Sequence, residues 1–140
     1  MSESDVHEML LGVDYGERHI GLAFGRNKLT FPISVISGKN DLSAVHEISK
    51  FCIQNECRKI IVGLPLTAYG KETKQSIKVR HFVKLLKVYL KLPIAFVNEY
   101  DTTNESLKEA INFGVSKNGR KLIDQYSAEL ILHQYYQQIS

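Results

Sequence analysis

Three carboxylates stand at positions from which they could bind a divalent cation together. Asp14 directly follows a short apolar run, Glu99 follows another further along the chain, and Asp124 opens a stretch with helical periodicity. In an open α/β sheet, chemistry gathers beyond the carboxyl ends of the parallel strands, so we expect these side chains at one sheet edge. Two or three carboxylate oxygens around one point suit Mg²⁺ or Mn²⁺, and paired ions of this kind support phosphodiester cleavage.

Each acid also has a simpler interpretation. Asp124 could cap a helix N-terminus, Glu99 could pair with a lysine, and Asp14 could stabilise a turn. Asp101 is close to Glu99 in sequence, but its side chain points the opposite way if the strand continues. The joint placement of the three acids at one edge, rather than any single residue, favours the metal site.

The elements that must position these acids follow from hydrophobic periodicity and turn residues. Met9–Val13 predicts a buried strand, the turn at Gly16 leads into a second strand, and Thr30–Ser37 completes an antiparallel meander. Two further apolar strands alternate with helices, which predicts a mixed sheet whose last two strands are parallel to the first. The predicted later segments are a helix over 41–55, strands over 59–62 and 94–97, helices over 74–91, 102–113 and 124–138, and a loop over 114–121.

Length and composition limit the class of protein. The 140 residues suffice for one domain, and we predict a flexible tail over 1–7 followed by a single domain over 8–140. No apolar stretch could span a bilayer, and the acidic N-terminus has the wrong sign for a signal peptide. Cys52 and Cys57 match neither a zinc pattern nor a disulfide framework. We therefore expect a cytoplasmic protein with two reduced thiols and no membrane association.

Positive charge is concentrated in the middle of the chain. Nine Lys and Arg face a single acid, Glu72, between Arg58 and Lys91, although the whole chain carries only +3. Six basic residues form one stripe on the predicted helix over 74–91, which is usually a solvated face. The excess charge indicates an anionic partner, and a flexible basic loop before Asp124 could grip phosphates. The residues predicted to contact nucleic acid are Arg18, His19, Lys71, Arg80, Lys117, Arg120 and Lys121.

Several short motifs occur together in the order of one known family. They are Gly12-x-Asp14-x-Gly16 with Ile20-Gly21-x-Ala23, Ile61-Val62-Gly63-Leu64-Pro65-Leu66 with Gly70, Glu99 with Thr102-Thr103, and Asp124 with Ser127-Ala128 and Leu130-Ile131-Leu132. This arrangement resembles the YqgF (RuvX-like) family, ribonuclease H-like proteins described as pre-16S rRNA nucleases or Holliday junction resolvases. The match runs from about Leu10 to Tyr136. It implies a ribonuclease H-like α/β fold, with a five-stranded mixed sheet flanked by helices.

The resemblance also implies roles and shows two departures. Asp14, Glu99 and Asp124 would be the catalytic, metal-binding carboxylates. The family usually has Asp-Glu-Arg-Leu where this chain has Asn98-Glu99-Tyr100-Asp101, and Lys-Arg where it has Arg18-His19. The three acids are kept, so the departures affect the grip on substrate more than the binding of metal.

The expected function is a Mg²⁺- or Mn²⁺-dependent endonuclease acting on structured RNA, in 5′-end processing of pre-16S rRNA. A Holliday junction resolvase acting on branched DNA is an alternative that needs a dimer, and the sequence leaves monomer and homodimer open. A non-catalytic nucleic-acid-binding module of the same fold is a third interpretation. A sugar-kinase or actin-like ATPase is excluded because it needs two such domains around its nucleotide.

Overall fold

A central sheet carries helices on both faces. The computed structural model describes residues 4–99 and 117–139, and the side chains of residues 6–99, 123 and 126–139. The elements are α1 (Ser4–His7), β1 (Leu10–Asp14), β2 (His19–Arg26), β3 (Leu29–Ser37), α2 (Asp41–Gln54), β4 (Lys59–Leu64), α3 (Lys74–Tyr89), β5 (Ile94–Asn98) and α4 (Lys117–Ile139).

The five strands form one mixed sheet in the order β3-β2-β1-β4-β5. β1, β2 and β3 pair antiparallel, whereas β4 is parallel to β1 and β5 is parallel to β4. The predicted meander followed by two parallel strands is therefore confirmed. β3 lies at the edge of the sheet, which is the position in which a strand tolerates a proline such as Pro32.

Local capping sets where the helices begin. Asn40 accepts a hydrogen bond from the backbone N–H of Ser43 at 2.9 Å and starts α2. Thr73 and Ser76 form a reciprocal capping box that starts α3, and the Thr73 hydroxyl also donates to the carbonyl of Pro65. This second bond fastens the N-terminus of α3 to the loop that follows β4.

Each face of the sheet has its own hydrophobic core. α2 and α3 cover one face, where the largest buried side chains include Ile48, Phe82 and Leu86. α4 covers the other face, with Ile131 and Tyr135 fully buried against the strands. Because side chains alternate along a strand, β1, β2, β4 and β5 contribute to both cores, whereas β3 contributes Ile33 and Ile36 to the core beneath α2 and α3. The result is three layers, with α4 on the side of the sheet opposite α2 and α3.

α4 comes unusually close to the sheet, at two glycines. A Cβ on Gly12 would stand 2.8 Å from the carbonyl oxygen of Ala128, and one on Gly25 would stand 2.8 Å from the Tyr136 hydroxyl. Gly25 pairs with Leu10, at the start of β1. The helix therefore runs antiparallel to β1, and its N-terminal half lies toward the carboxyl end of that strand.

One sequence boundary is wrong. The sequence pattern predicts a loop over 114–121 and a helix that begins at Asp124, but α4 already begins at Lys117. Lys, Arg and Leu favour helix, and their propensity offsets the roughly 1 kcal/mol by which Gly119 disfavours it. The predicted helix over 102–113 lies outside the described residues, as does the start of the predicted loop.

The N-terminal residues make specific contacts. Ser4–His7 form one helical turn, and the backbone N–H of Asn27 donates to the carbonyl of Val6 at 2.7 Å. The division into a tail over 1–7 and a domain over 8–140 stays a prediction. Within the two described ranges, the helices all lack the length and apolar character needed to cross a membrane.

The close approach at Gly12 predicts a stability effect. Gly12→Ala would drive a methyl group into Leu132 and the backbone of Ala128, and overpacking of this kind costs about 1–3 kcal/mol. We expect chemical denaturation to show that loss in the free energy of unfolding. Gly70→Ala is the control: nothing lies within 4 Å of its Cβ position, so only the positive φ of 76° opposes it. Equal losses in the two variants would contradict the close packing of α4.

Candidate active site

Asp14 is the last residue of β1 and faces the α4 side of the sheet. It lies in phase with Leu10 and Gly12, which contact α4, because alternate residues of a strand share a face. Only 8% of Asp14 is exposed. A largely buried carboxylate at the end of a strand requires compensating polar or cationic groups, since burial of a charge is otherwise costly.

Glu99 reaches the same place from β5. Its backbone N–H donates to the carbonyl of Leu64 at 2.9 Å, which continues the β4–β5 ladder by one bond. Its carboxyl group lies directly over Gly63: a Cβ on that glycine would be 2.4 Å from the Glu99 carboxyl carbon and 2.7 Å from Oε1. The absence of a side chain at Gly63 is what makes room for the carboxylate.

Strand register shows how near the two acids are. Val13 of β1 pairs with Val62 of β4, so the next residues, Asp14 and Gly63, lie side by side at the carboxyl ends of these two strands. Neighbouring strands are about 4.8 Å apart. The Glu99 carboxylate therefore lies over the position of β4 that is next to Asp14.

The third predicted acid, Asp124, lies within α4. It precedes Ala128 by four residues, one helical turn, and Ala128 is the residue whose carbonyl covers Gly12. Because α4 begins seven residues earlier, at Lys117, the interpretation of Asp124 as a helix N-cap is wrong. The side chain of Asp124 lies outside the described residues. Among the side chains that are described, no three His, Cys, Asp or Glu residues are grouped to hold a metal.

Tyr15 anchors the chain immediately after Asp14, on the opposite face of the sheet. Its hydroxyl donates to Oδ1 of Asp41 at 2.8 Å, and its ring lies 4.5 Å from that of Phe82 between centroids. Gln75 donates to the Tyr15 carbonyl at 3.2 Å. Burial, followed by the hydrogen bond to Asp41, raises the pKa of the Tyr15 phenol. The backbone that carries Asp14 is thus held by both helices of that face.

Local sequence patterns do not reveal the anchoring role of Tyr15. Its alternation with Leu11 and Val13 was the available signal, because those residues line the α2–α3 core. The partners Asp41 and Gln75 are distant in sequence and could not be read from any local pattern.

The residues predicted to contact nucleic acid fall into three groups: exposed residues near Asp14, the basic residues at the start of α4, and Arg80. Arg18 and His19 are exposed beside the end of β1, and Lys71 is exposed in the loop after β4, so all three lie toward the edge that carries Asp14. The side chains of the basic residues at the start of α4 lie outside the described part of the chain. Those residues are Lys117, Arg120 and Lys121.

Arg80 lies on the face of the sheet opposite to the one that carries Asp14 and Glu99. It lies over the ring of Phe96, on the α3 face, and donates two hydrogen bonds to Glu72 at 2.6 and 3.0 Å. These bonds hold the pKa of the Glu72 carboxyl below its ordinary value. Both side chains are about 40% exposed, so the pair adds little stability.

Holliday junction resolvases are among the solved structures that are similar to this one. Thermus thermophilus RuvC in complex with a Holliday junction substrate aligns with a TM-score of 0.58 and 13% identity, over 95% of this chain and 96% of that one. The fowlpox virus Holliday junction resolvase aligns with a TM-score of 0.55 and 14% identity, over 94% and 99%. The likeness assigns the ribonuclease H-like fold of RuvC.

The sequence identifies the family within that fold. The model of the RuvX family, described as Holliday junction resolvase, matches residues 8–138. A relative from Mycoplasma mobile, named as a candidate pre-16S rRNA nuclease, is 33% identical over 129 residues, or 89% of each chain. One of the same name from Prochlorococcus marinus (strain MIT 9301) is 34% identical over 138 residues, covering 92% of this chain and 84% of its own. The chain belongs to the RuvX family.

The contact at Gly63 predicts a sensitive position. Gly63→Ala would push a methyl group into the Glu99 carboxylate and Ile131, so the carboxylate must move. A displacement of about 1 Å in an active site can cost roughly 100-fold in rate, and we expect a loss of that order in nuclease activity for each folded molecule. Gly70→Ala, in the loop after the same strand, should retain activity. Full activity of folded Gly63→Ala would show that Glu99 is not part of the active site.

Proposed function

We propose that this protein is a divalent-metal-dependent endonuclease that hydrolyses phosphodiester bonds in structured nucleic acid, and that its substrate is the 5′ end of pre-16S rRNA. The observation that carries the proposal is the placement of the Glu99 carboxylate over Gly63, beside Asp14. The names of the RuvX relatives support the choice of substrate.

The donor set suits a hard cation. Asp14 and Glu99 offer carboxylate oxygens at one face and one edge of the sheet, the ligand type that Mg²⁺ and Mn²⁺ prefer. With Asp124 as a third ligand, these residues would hold the ion or ions. When bound, the cation neutralises the developing charge of the phosphoryl group and makes water a better nucleophile.

The residues of the chain itself supply position and electrostatics. Asp14 and Glu99 would repel a phosphate backbone on their own, since like charges near each other are unfavourable. Their negative charge therefore makes substrate entry dependent on a cation. Tyr15, held by Asp41, keeps Asp14 in register with Gly63. Such preorganisation of charged groups is a large term in enzyme catalysis because nothing needs to reorient during the reaction.

The exposed basic residues near the carboxyl ends of the strands would bind the substrate. Arg18, His19 and Lys71 are the candidates in the described part of the chain, and contacts from Lys or Arg to phosphate position a nucleic acid without reading its sequence. We propose the same role for the basic first turns of α4. Arg80 is a weaker candidate because Glu72 already occupies its guanidinium.

Holliday junction resolution is the second candidate function. The solved RuvC complex holds a Holliday junction substrate, and the matching family model carries the description of a resolvase. Resolution requires two symmetric cuts and therefore a homodimer, whereas trimming of an RNA end requires only a monomer. Either activity would act on nucleic acid in the cytoplasm, which is the compartment we propose.

One assay separates these functions. Purified protein is incubated with precursor 16S rRNA and with four-way junction DNA, each with Mn²⁺ or with EDTA. Metal-dependent cleavage of the RNA alone supports the proposed substrate, and paired cuts in the junction support resolution. Binding of either nucleic acid without any metal-dependent cleavage supports the non-catalytic module.

The substitution Asp14→Asn tests the catalytic assignment. It keeps the size of the side chain but removes the charge that a hard cation needs, so cleavage should fall by about 100-fold or more. The thermal midpoint should hold or rise, because neighbouring carboxylates lose their repulsion. Glu47→Gln, an exposed change on α2, is the control for loss of one charge. Wild-type activity in Asp14→Asn would contradict the assignment.

A further inference from the structure

The two cysteines of the chain are brought together at the C-terminal end of α2. Glu56 has a positive φ of 54°, and the backbone N–H of Cys57 donates to the carbonyl of Cys52 at 3.0 Å. A second bond runs from the N–H of Glu56 to the carbonyl of Ile53 at 3.4 Å. This pair of bonds is a Schellman motif. In that motif, the side chains of the two residues joined by the bond that spans more of the chain, here Cys52 and Cys57, commonly contact each other.

The contacting side chains here are two thiols. The Cys52 thiol donates a hydrogen bond to the sulfur of Cys57, which raises the pKa of Cys52 and lowers the pKa of Cys57. Both cysteines are free in the structure. A low thiol pKa increases the fraction of thiolate, which is the nucleophilic form. Cys57 directly precedes Arg58, whose cationic side chain lines the same pocket as the two thiols, so we take Cys57 as the attacking sulfur and Cys52 as the neighbour that resolves it.

The two cysteines border a pocket. The two cysteines are 3% and 5% exposed, yet both line an open pocket of about 330 Å³. Arg58 and Lys91 also line this pocket, and cationic side chains favour a thiolate. The pocket lies at the amino end of β4, at the opposite end of that strand from Gly63. It is therefore separate from the carboxylate site.

We propose that Cys52 and Cys57 form a reversible intramolecular disulfide, oxidised by hydrogen peroxide and reduced again by a dithiol. The Cys57 thiolate attacks one peroxide oxygen, an S–O bond forms as the O–O bond breaks, and the released hydroxide takes a proton to become water. The Cys52 sulfur, losing its proton, then attacks the Cys57 sulfenic acid. The S–S bond forms, the S–O bond breaks, and a second water leaves. Two thiols and one peroxide give one disulfide and two waters.

The site links two parts of the fold. Cys52 belongs to the last turns of α2, and Cys57 leads through Arg58 into β4, where the Arg58 N–H donates to the carbonyl of Met9 at 2.9 Å. A disulfide would fasten the helix to the entrance of the central strands. This inference does not depend on the nuclease activity.

Thiol chemistry on the whole chain tests the proposal. Reduced protein is treated with increasing hydrogen peroxide, free thiols are alkylated with iodoacetamide, and the intact mass is measured. We expect both thiols to disappear together, with a mass loss of two hydrogen atoms, at a rate independent of protein concentration. Dithiothreitol should restore both. Thiols that stay alkylatable, or disulfide-linked dimers, would overturn the proposal.

Single substitutions separate the two roles. Cys52→Ser leaves the attacking sulfur without its partner, so oxidation should stop at a sulfenic acid that dimedone traps on Cys57. Cys57→Ser should leave Cys52 unreactive at the same peroxide concentration. Circular dichroism checks that each variant is folded. If either variant is not folded, the oxidation of the wild-type protein alone decides the proposal. Equal reactivity of the two remaining cysteines would contradict the assigned order of attack.

Discussion

The structure depends on the close approach of α4 and of one carboxylate to positions of the sheet that lack side chains. Gly12 admits the backbone of α4 at Ala128, and Gly63 admits the carboxylate of Glu99. Any Cβ at these positions would overlap its neighbour. The same face thus holds both a hydrophobic core and the candidate site, and small residues at the centre of the sheet are the condition for both.

The two faces of β1 have different roles: one contributes to the hydrophobic core, and the other carries a candidate catalytic acid. Leu11, Val13 and Tyr15 belong to the core beneath α2 and α3, which fixes the strand in place. On the other face, the strand ends in Asp14. The hydrogen bond from Tyr15 to Asp41 extends this anchoring one residue beyond the strand. The backbone that carries the Asp14 carboxylate is therefore held rigidly.

Much of this arrangement could be predicted from the sequence. Short apolar runs located β1, β4 and β5, and the rule that parallel strands place chemistry at their carboxyl ends located Asp14 and Glu99. The sequence pattern misplaces the start of α4 because Gly119 and the charged residues around it are typical of loops, whereas helix propensity and the packing of the later turns extend the helix to Lys117.

Contacts between distant residues could not be predicted. Nothing local indicates that Gly63 lies beneath Glu99, that Tyr15 bonds to Asp41, or that Arg80 is occupied by Glu72. Each of these depends on the register of strands and on which helix covers which face. A sequence pattern therefore located the acids at the end of their strands, and the three-dimensional packing determined their neighbours.

Magnesium titration followed by NMR tests the central claim most directly. If Asp14 and Glu99 hold one shared ion site across Gly63, the backbone amide signals of these three residues should shift together along a single binding curve. The variant Glu99→Gln should abolish that curve while the rest of the spectrum stays unchanged. Shifts confined to other parts of the chain, or a Glu99→Gln variant that titrates like the wild type, would contradict a site built from these two carboxylates.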